Sequence, residues 1–247
     1  MKKYSWSAVL GALLFCACKK DNNSPNNQSN NLPKVYTEEL RSSVVGNQKL
    51  TYNLTYDSKS RLISLVSIPD PPLLKFVYKF QTDNQLTMDL YNSNALSIHE
   101  NIWLNNLSLI DSTFQYNDTN DTSTEKYSYN ASKELVELKQ YDFHSTGNVL
   151  NQTTDYTYDA SGNLVQQVDD LGKTVTYDYY NLVNNLSMGQ TYYYQSKNLV
   201  KTATSNDNGS IETATHYYTF DSSHRLIVDS AVTTGAADAV VIKTYSY

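Results

Sequence analysis

Pairs of aromatic residues two positions apart recur along the chain and constrain its fold more than any other feature. A spacing of two places both rings on one face of an extended strand. In the clearest copy, Tyr156 and Tyr158 are followed by Asp159, Gly162 and Leu164, and such Asp and Gly residues turn a chain into its next strand. The pairs are Phe76/Tyr78, Phe114/Tyr116, Tyr127/Tyr129, Tyr141/Phe143, Tyr156/Tyr158, Tyr177/Tyr179, Tyr192/Tyr194, Tyr218/Phe220 and Tyr245/Tyr247.

The turn signals between these pairs predict a long antiparallel meander. Several copies repeat at intervals of about 25 residues, which is enough for two strands and two turns. Asn208-Gly209 is a strong two-residue hairpin signal. No segment after residue 20 keeps a helical period over three turns. We therefore expect an all-β domain of about 14–18 antiparallel strands in up-and-down order.

Such a sheet is too wide to stay open. About 16 strands side by side would span about 77 Å and leave two unpaired edges. Curling or closure hides the edges and covers the aromatic face, so we expect a barrel, round or flattened, with most tyrosines in its core. Its interior is then either packed or a wet cavity lined by Tyr. Polar residues interrupt both faces of the predicted strand 163–169, which favours a soluble barrel over a membrane-spanning one.

The N-terminus carries an export signal. Lys2 and Lys3 precede the short apolar run 9–15, which is typical of a secretory signal peptide and too short to span a bilayer. We predict a signal peptide over 1–17, a flexible Asn-rich tether over 18–34 and a single β-repeat domain over 35–247.

Two resemblances follow from these motifs. The sequence Phe15-Cys16-Ala17-Cys18 resembles a bacterial lipobox, which implies that Cys18 is the lipidated residue; the alternatives are a soluble exported protein cut near Ala17 and a reactive pair of cysteines. The repeats resemble tyrosine-aspartate (Rhs-type) repeats, whose core reads Tyr-x-Tyr-Asp-x-x-Gly-Arg-Leu, with Gly162 and Arg225 among the matching residues.

The combination of lipobox, tether and degenerate repeats is similar to uncharacterised lipoproteins of the Bacteroidota type that are described as having a porin-like β fold. This resemblance implies an outer-membrane lipoprotein on the periplasmic or the cell-surface side. It implies no activity. We expect the protein to be a monomer held at the membrane by its lipid anchor.

Composition excludes several classes of function. The formal net charge is −6 and no basic stripe is present, so we expect no nucleic-acid partner. Both cysteines, Cys16 and Cys18, precede the domain, which leaves it without a disulfide or a thiolate metal site.

Candidate metal and catalytic groups are sparse. His216 and His224 flank one predicted turn but lack a third ligand at metal-site spacing. The acidic turn 118–122 lacks the Gly and Glu of a Ca²⁺-binding loop. Asp169 and Asp170 are adjacent, so their side chains point apart on a strand. We predict no catalytic residue, no metal and no cofactor, and expect a protein that is not an enzyme.

The leading hypothesis is a non-enzymatic binding or scaffold module at the cell envelope that contacts a glycan, a peptide or a partner protein. The alternatives are a carrier of a small apolar or aromatic ligand in a Tyr-lined cavity, and a hydrolase with a non-standard site. Exposed aromatic rings stack on sugars and anchor interfaces. The candidate ligand-binding residues are Tyr156, Tyr158, Tyr177, Tyr179, Tyr192, Tyr194 and Trp103.

Overall fold

The computed structural model describes residues 32–44, 46–68, 73–117, 122–144, 147–188, 195–235 and 238–247. These residues form sixteen antiparallel strands that close into one barrel. The first eight are β1 (Val35–Ser42), β2 (Gln48–Tyr56), β3 (Leu62–Ile68), β4 (Leu74–Thr82), β5 (Gln85–Asn92), β6 (Ala95–Leu104), β7 (Ile110–Asn117) and β8 (Thr122–Tyr129). The others are β9 (Leu135–His144), β10 (Gly147–Tyr158), β11 (Leu164–Asp169), β12 (Lys173–Val183), β13 (Asn198–Asp207), β14 (Ser210–Phe220), β15 (Leu226–Thr234) and β16 (Ala239–Ser246).

The strands follow one another around the barrel in chain order. Each strand pairs with its sequence neighbours, and β1 closes the barrel on β16, with Tyr36 opposite Tyr245. The predicted meander, its strand number and its closure are therefore confirmed. The predicted hairpin turn at Asn208-Gly209 is confirmed too, because both residues have positive φ and Asp207 pairs with Ser210.

Among the described residues, one turn structure recurs five times at the same end of the barrel. Its first residue is Asp or Asn, whose Oδ1 accepts the backbone N–H groups of the residues two and four positions later. In the copy that begins at Asp159, these distances are 2.8 Å to Ser161 N and 2.9 Å to Asn163 N. We call this end the Asx end and the opposite end the far end. The five turns span 57–61, 105–109, 130–134, 159–163 and 221–225.

Each of these turns is joined to a bulge in the same register. The residue just before the Asp or Asn pairs with the residue five positions after that Asp or Asn. Tyr158 thus pairs with Leu164 and Phe220 with Leu226, and the register shifts at these pairs. The same pairing joins Tyr56 to Leu62. The leucine of the repeat is thus the inward-facing partner of the last ring before the turn.

The fourth residue of each turn has positive φ, which explains the Gly in the repeat pattern. Gly162 adopts a φ of 82° there without strain. The other four copies place a residue with a Cβ at a φ between 59° and 68°, where an L-residue costs about 1–2 kcal/mol. These four residues are Ser60, Ser108, Lys133 and His224.

The fifth residue is Arg in two of the turns, and its side chain links the turn to the next aromatic strand end. Arg61 Nε donates to Asp57 Oδ2 at 2.7 Å, and its guanidinium carbon lies 3.7 Å from the centre of the Phe80 ring. Arg225 repeats this arrangement with Asp221 and, at 4.4 Å, with the ring of Tyr247. The cation–π contact fixes neighbouring strand ends to each other.

The apolar core fills one side of the interior. Its buried members come mainly from β1–β7 and β15–β16, whereas among the described residues β8–β13 contribute none. After β12 the connection turns inward, so that Leu186 and Met188 join this core, and Asn185 Nδ2 donates to the carbonyl of His224 at 2.8 Å. The connection therefore packs the interior from the Asx end. The buried core consists of Tyr36, Tyr52, Leu54, Leu62, Leu65, Phe76, Tyr78, Leu86, Leu90, Ile102, Ile110, Leu186, Met188, Leu226 and Tyr245.

Two aromatic pairs lie on the outer face and not in the core, where most tyrosines were expected. Following the register around the barrel from the core places Phe114/Tyr116 on β7 and Tyr141/Phe143 on β9 outside. Six other pairs face inward. They lie towards the ends of the even-numbered strands β4, β8, β10, β12, β14 and β16. The difference follows from strand direction: even-numbered strands end at the Asx end, whereas β7 and β9 end at the far end. Residues 1–31, 118–121 and 189–194, and with them Cys18, Tyr192 and Tyr194, lie outside the described residues.

Replacing Asp159 with Ala should destabilise the domain by about 1 kcal/mol, because two backbone N–H groups of the turn lose their acceptor. Asp159→Asn should preserve the stability at pH 7, since Asn105 and Asn130 form the same turn. Urea unfolding of the three proteins measures both effects. Equal losses in the Ala and Asn variants would show that the side-chain acceptor does not stabilise the turn.

The same variants should differ in acid. The backbone hydrogen bond from Asn163 holds the pKa of Asp159 below its ordinary value of 3.8. The resulting stabilisation is complete above that ordinary value and is lost as the pH falls through the lowered pKa. The Asn variant should therefore lose less stability than the wild type between pH 5 and pH 2.

Candidate binding surface

The candidate tyrosines of β10 and β12 lie on the inner face and are partly buried. Tyr177 donates its hydroxyl to Gln167 Oε1 at 3.2 Å, and Tyr179 donates to the carbonyl of Leu164 at 2.6 Å. Tyr156 and Tyr158 face the same interior. The hydroxyl contacts of Tyr177 and Tyr179 join strands of the barrel to one another.

The contact made by Tyr179 belongs to a repeated series. A tyrosine at or near the end of an even-numbered strand donates its hydroxyl to a backbone carbonyl within two residues of the start of the preceding strand. These bonds satisfy buried phenols and hold adjacent strands in register at the Asx end. The bonds are Tyr56 to Pro33, Tyr129 to Ile110, Tyr179 to Leu164, Tyr218 to Val200 and Tyr247 to Leu226, at 2.6–3.0 Å.

Burial keeps the inner phenols protonated. It raises the pKa of Tyr52, Tyr156 and Tyr179 to about 12, and raises those of Tyr129 and Tyr177 as well. These hydroxyls therefore remain hydrogen-bond donors throughout the physiological range.

Trp103 lies on the opposite side of the sheet from the inner tyrosines. It follows the inward-facing Ile102 on β6, pairs with Ser112 on the outer face, and is 38% exposed. The candidate residues therefore divide between an inner group and one outer ring. The sequence grouped Trp103 with the candidate tyrosines, but the described tyrosines of this set lie on the other face of the sheet.

Trp103 has aromatic neighbours on the outer face, and together with Trp103 these rings form the outer aromatic patch. In this patch Tyr116 is 38% exposed and Phe143 is 55% exposed. Register places Phe114 opposite Thr124, and Thr124 opposite Tyr141, so the rings are spread over β6, β7 and β9. The outer aromatic patch consists of Trp103, Phe114, Tyr116, Tyr141 and Phe143.

A buried carboxylate on the outer face supports one edge of the patch. Asp89 is only 5% exposed, and its two oxygens lie 2.5 Å from His99 Nδ1 and 3.0 Å from Lys79 Nζ. Burial alone would raise the pKa of Asp89, but the hydrogen bonds to His99 and Lys79 outweigh it and hold the pKa low. The His99 ring in turn lies 4.9 Å from the ring of Tyr116, so Asp89 orients the patch through His99.

The inner face behind the patch is polar. Glu100 on β6 and Glu125 on β8 both face inward. Glu125 accepts hydrogen bonds from the Tyr127 hydroxyl and, at 2.8 Å, from Gln140 Nε2. Burial, followed by the charge of Glu125, raises the pKa of Glu100 to about 7, although a hydrogen bond with Thr113 opposes the rise. Sequence reasoning missed these carboxylates, because strand alternation alone does not say which face is inside.

The other candidate groups form no metal site among the described residues. His216 faces inward, and its Nδ1 lies 2.9 Å from Asp229 Oδ1, whereas His224 occupies the fourth position of a turn at the Asx end. Asp169 accepts the N–H groups of Leu171 and Lys173, and Asp170 accepts that of Thr153, so both carboxylates stabilise backbone.

The far end holds a cavity of 320 Å³. Charged and hydroxyl side chains line it, and Lys173 and Asp207 are a register pair at its mouth. A lining of this kind favours water or a charged group over an apolar ligand. The lining residues are Lys173, Ser205, Asp207, Ser210 and Glu212.

Replacing Glu100 with Gln should stabilise the protein above pH 7, by an amount on the order of 2 kcal/mol. The raised pKa means that the folded state prefers the protonated acid, so this group destabilises the fold progressively as the pH rises from 4.5 to beyond 7. Below pH 4.5 the two proteins should be alike. Thermal melts across pH 4–9 measure this, with Glu137→Gln on the outer face as the control. A constant difference at every pH would contradict the inward, desolvated position of Glu100.

In the described part of the chain, no helix has the length and apolar character needed to cross a membrane. Neither a protein-family model nor a curated protein sequence matches the chain. Solved structures do match it. A porin-like protein from Bacteroides uniformis superposes with a TM-score of 0.65 at 17% identity, over 87% of this chain and 96% of that one. A porin-like protein from Bacteroides vulgatus gives 0.57 at 11% identity, over 88% and 98%. The chain shares the barrel fold of these two proteins.

Proposed function

We propose that this protein is a lipid-anchored, non-enzymatic binding module of the bacterial cell envelope, which recognises its partner through the outer aromatic patch. Cys18 in its lipobox-like context supplies the anchor, and the Asn-rich residues that follow it form a polar tether as far as the buried Leu32 and Pro33. The likeness to the two porin-like proteins from Bacteroides supports an envelope location. The observation that carries the proposal is the set of exposed rings at Trp103, Tyr116 and Phe143.

The chemistry of the outer face supports a barrel that stands in water. A membrane-spanning barrel requires an outward apolar band about 25 Å tall. Here the outer face carries Thr pairs, such as Thr37–Thr51 with hydroxyls 3.1 Å apart, and charges on many strands. Burying these groups in lipid would cost several kcal/mol each. The outward charges include Lys75, Lys79, Lys126, Glu137, Lys139, Asp155 and Asp178.

The division of aromatic rings between the two faces supports recognition on the outside. Several inner rings pack in the core, and several inner hydroxyls join strands, as in Tyr129 and Tyr179. The outer rings make no comparable contribution to the core. Exposed Trp and Tyr provide large, rigid contact area at a small entropic cost, and they are the residues most enriched in binding hot spots.

The carrier function receives less support. The interior holds a packed core on one side, and the 320 Å³ cavity at the far end is lined by Lys173, Asp207 and Glu212. An apolar ligand would leave these charged groups without water. Glu100 and Glu125 are enclosed and hydrogen-bonded to neighbouring side chains, which does not favour a hydrolytic role.

Replacing Cys18 with Ser should move the protein from the detergent-extracted membrane fraction to the soluble envelope fraction and abolish incorporation of labelled fatty acid. Cys16→Ser is the matched control, because it changes the neighbouring thiol and should leave both readouts unchanged. Retention of label in the Cys18 variant, or its loss in the Cys16 variant, would contradict the proposed anchor.

The double variant Tyr116→Ala/Phe143→Ala should lose at least about tenfold in affinity for whatever the protein binds in a panel of glycans, peptidoglycan fragments and envelope peptides. The full chain in detergent is used throughout. Tyr217→Ala is the control, since Tyr217 is 56% exposed on the outer face of β14, away from the patch. Binding that survives the double variant would overturn the assignment of the patch.

A further inference from the structure

Two rings of the outer aromatic patch lie two strands apart in one register row. Phe114 on β7 and Tyr141 on β9 belong to one register row, in which Thr124 of β8 lies between them. Adjacent strands are about 4.8 Å apart, so the two rings are separated by about 10 Å in a direction perpendicular to the strands. This is about the length of a disaccharide unit, which would let two sugars of one chain stack on the two rings.

Hydrogen-bonding groups fill the spaces between the rings. Asn101 and Thr124 lie in the same row as Phe114 and Tyr141. In the next row towards the Asx end, Ser112 pairs with Lys126. Alternating rings and polar groups match a sugar chain, which presents apolar C–H faces for stacking and hydroxyl groups at its edges.

A protein partner fits this surface less well. Protein interfaces concentrate apolar side chains at their centre and exclude charge from it. Here Lys126 on β8 and Lys139 on β9 are register partners. They lie in the row that runs across the sheet from Trp103 on β6 to β10. A protein that covered the patch would desolvate the Lys126 ammonium group over the Tyr141 ring and the ion pair of Lys139 with Glu137, whereas hydroxyl groups and water around a glycan would keep them hydrated.

Neighbouring side chains hold the rings in place before any ligand binds. Tyr116 packs against the ring of His99, and a hydrogen bond between His99 and Asp89 holds that ring in place. The ammonium group of Lys126 lies 5.5 Å from the centre of the Tyr141 ring. A platform that is already ordered loses little entropy on binding, which favours recognition of a flexible polymer.

We infer that the outer aromatic patch binds a glycan chain that lies across β6–β10, with alternate sugars stacked on Phe114 and Tyr141 and with Thr124, Asn101 and Lys126 bonding to hydroxyl groups. This inference rests on the proposed function and adds the class of ligand and its direction on the sheet. Leu150, which pairs with Tyr141 on β10, extends the platform for one more sugar.

The test uses affinity electrophoresis and calorimetry of the full chain in detergent with two groups of soluble polysaccharides. Neutral β-glucan, xylan and mannan form the first group, and uronate-bearing pectin and alginate form the second. We expect binding to at least one of them. Binding to the neutral group that is insensitive to salt identifies hydroxyl recognition, and salt-sensitive binding to the uronates identifies Lys126 as a carboxylate ligand.

Variants then test the stacking geometry. Phe114→Ala and Tyr141→Ala should each weaken glycan binding about tenfold, whereas Tyr141→Phe and the control Tyr217→Ala should leave it unchanged. Oligosaccharides should bind more tightly with each added sugar until the chain spans both rings. Circular dichroism and melting temperatures show whether each variant is folded, and Tyr141→Phe keeps the test valid if an Ala variant is not.

The outcomes separate this inference from the proposed function. Peptide or protein binding that depends on the patch, with no glycan bound, would overturn the glycan assignment and leave the binding module standing. Monosaccharides that bind as tightly as longer chains would overturn the direction across the strands. A panel in which no ligand depends on Tyr116, Phe143, Phe114 or Tyr141 would overturn both.

Discussion

The structure depends on one local interaction, in which an Asp or Asn side-chain oxygen accepts two backbone N–H groups of its own turn. The five copies at the Asx end share the same length, positive φ at the fourth residue and the same bulge. Because each copy returns the chain in an identical register, the apolar or aromatic residue before the turn and the Leu or Ile after it face the interior each time, as Tyr158 and Leu164 do. Repetition of a short-range contact thus determines which residues face the interior of a closed barrel whose first and last strands are some two hundred residues apart.

The parts of the fold that depend on local contacts were predictable from the sequence. Which face of each strand lies inside the barrel was not. The hairpin at Asn208-Gly209 and the turn at Asp159 follow from their own residues. The outward direction of Phe114 and Tyr116 does not, because the next residue, Asn117, resembles the start of an Asx turn although β7 ends at the far end. The polar network around Glu125 was missed for the same reason, since alternation fixes two faces but not which of them is inside.

The division of the interior into two sides follows from how the aromatic rings are distributed. Where both rings of a pair face inward, they either join the apolar core, as Tyr245 does, or bond to neighbouring strands, as Tyr177 does. The strands that direct their rings outward leave Thr113, Gln140 and Glu125 to fill the space behind them. Hydrogen bonds replace apolar packing there, and a buried acid with a raised pKa is one consequence.

This distribution argues for recognition on the outer face. A repeat that only built a barrel would gain most from placing every ring inside, because exposed rings bury little area and leave polar groups to be satisfied within. On β7 and β9 the chain does the reverse, and the space behind the patch holds the carboxyl group of Glu100, whose pKa is raised by burial, and the hydrogen-bonded carboxylate of Glu125. Departures from the locally favoured pattern of this kind are expected where function opposes stability. The same rings are held in place by His99 and Lys126, contacts that contribute nothing to the core but fix the rings for a ligand.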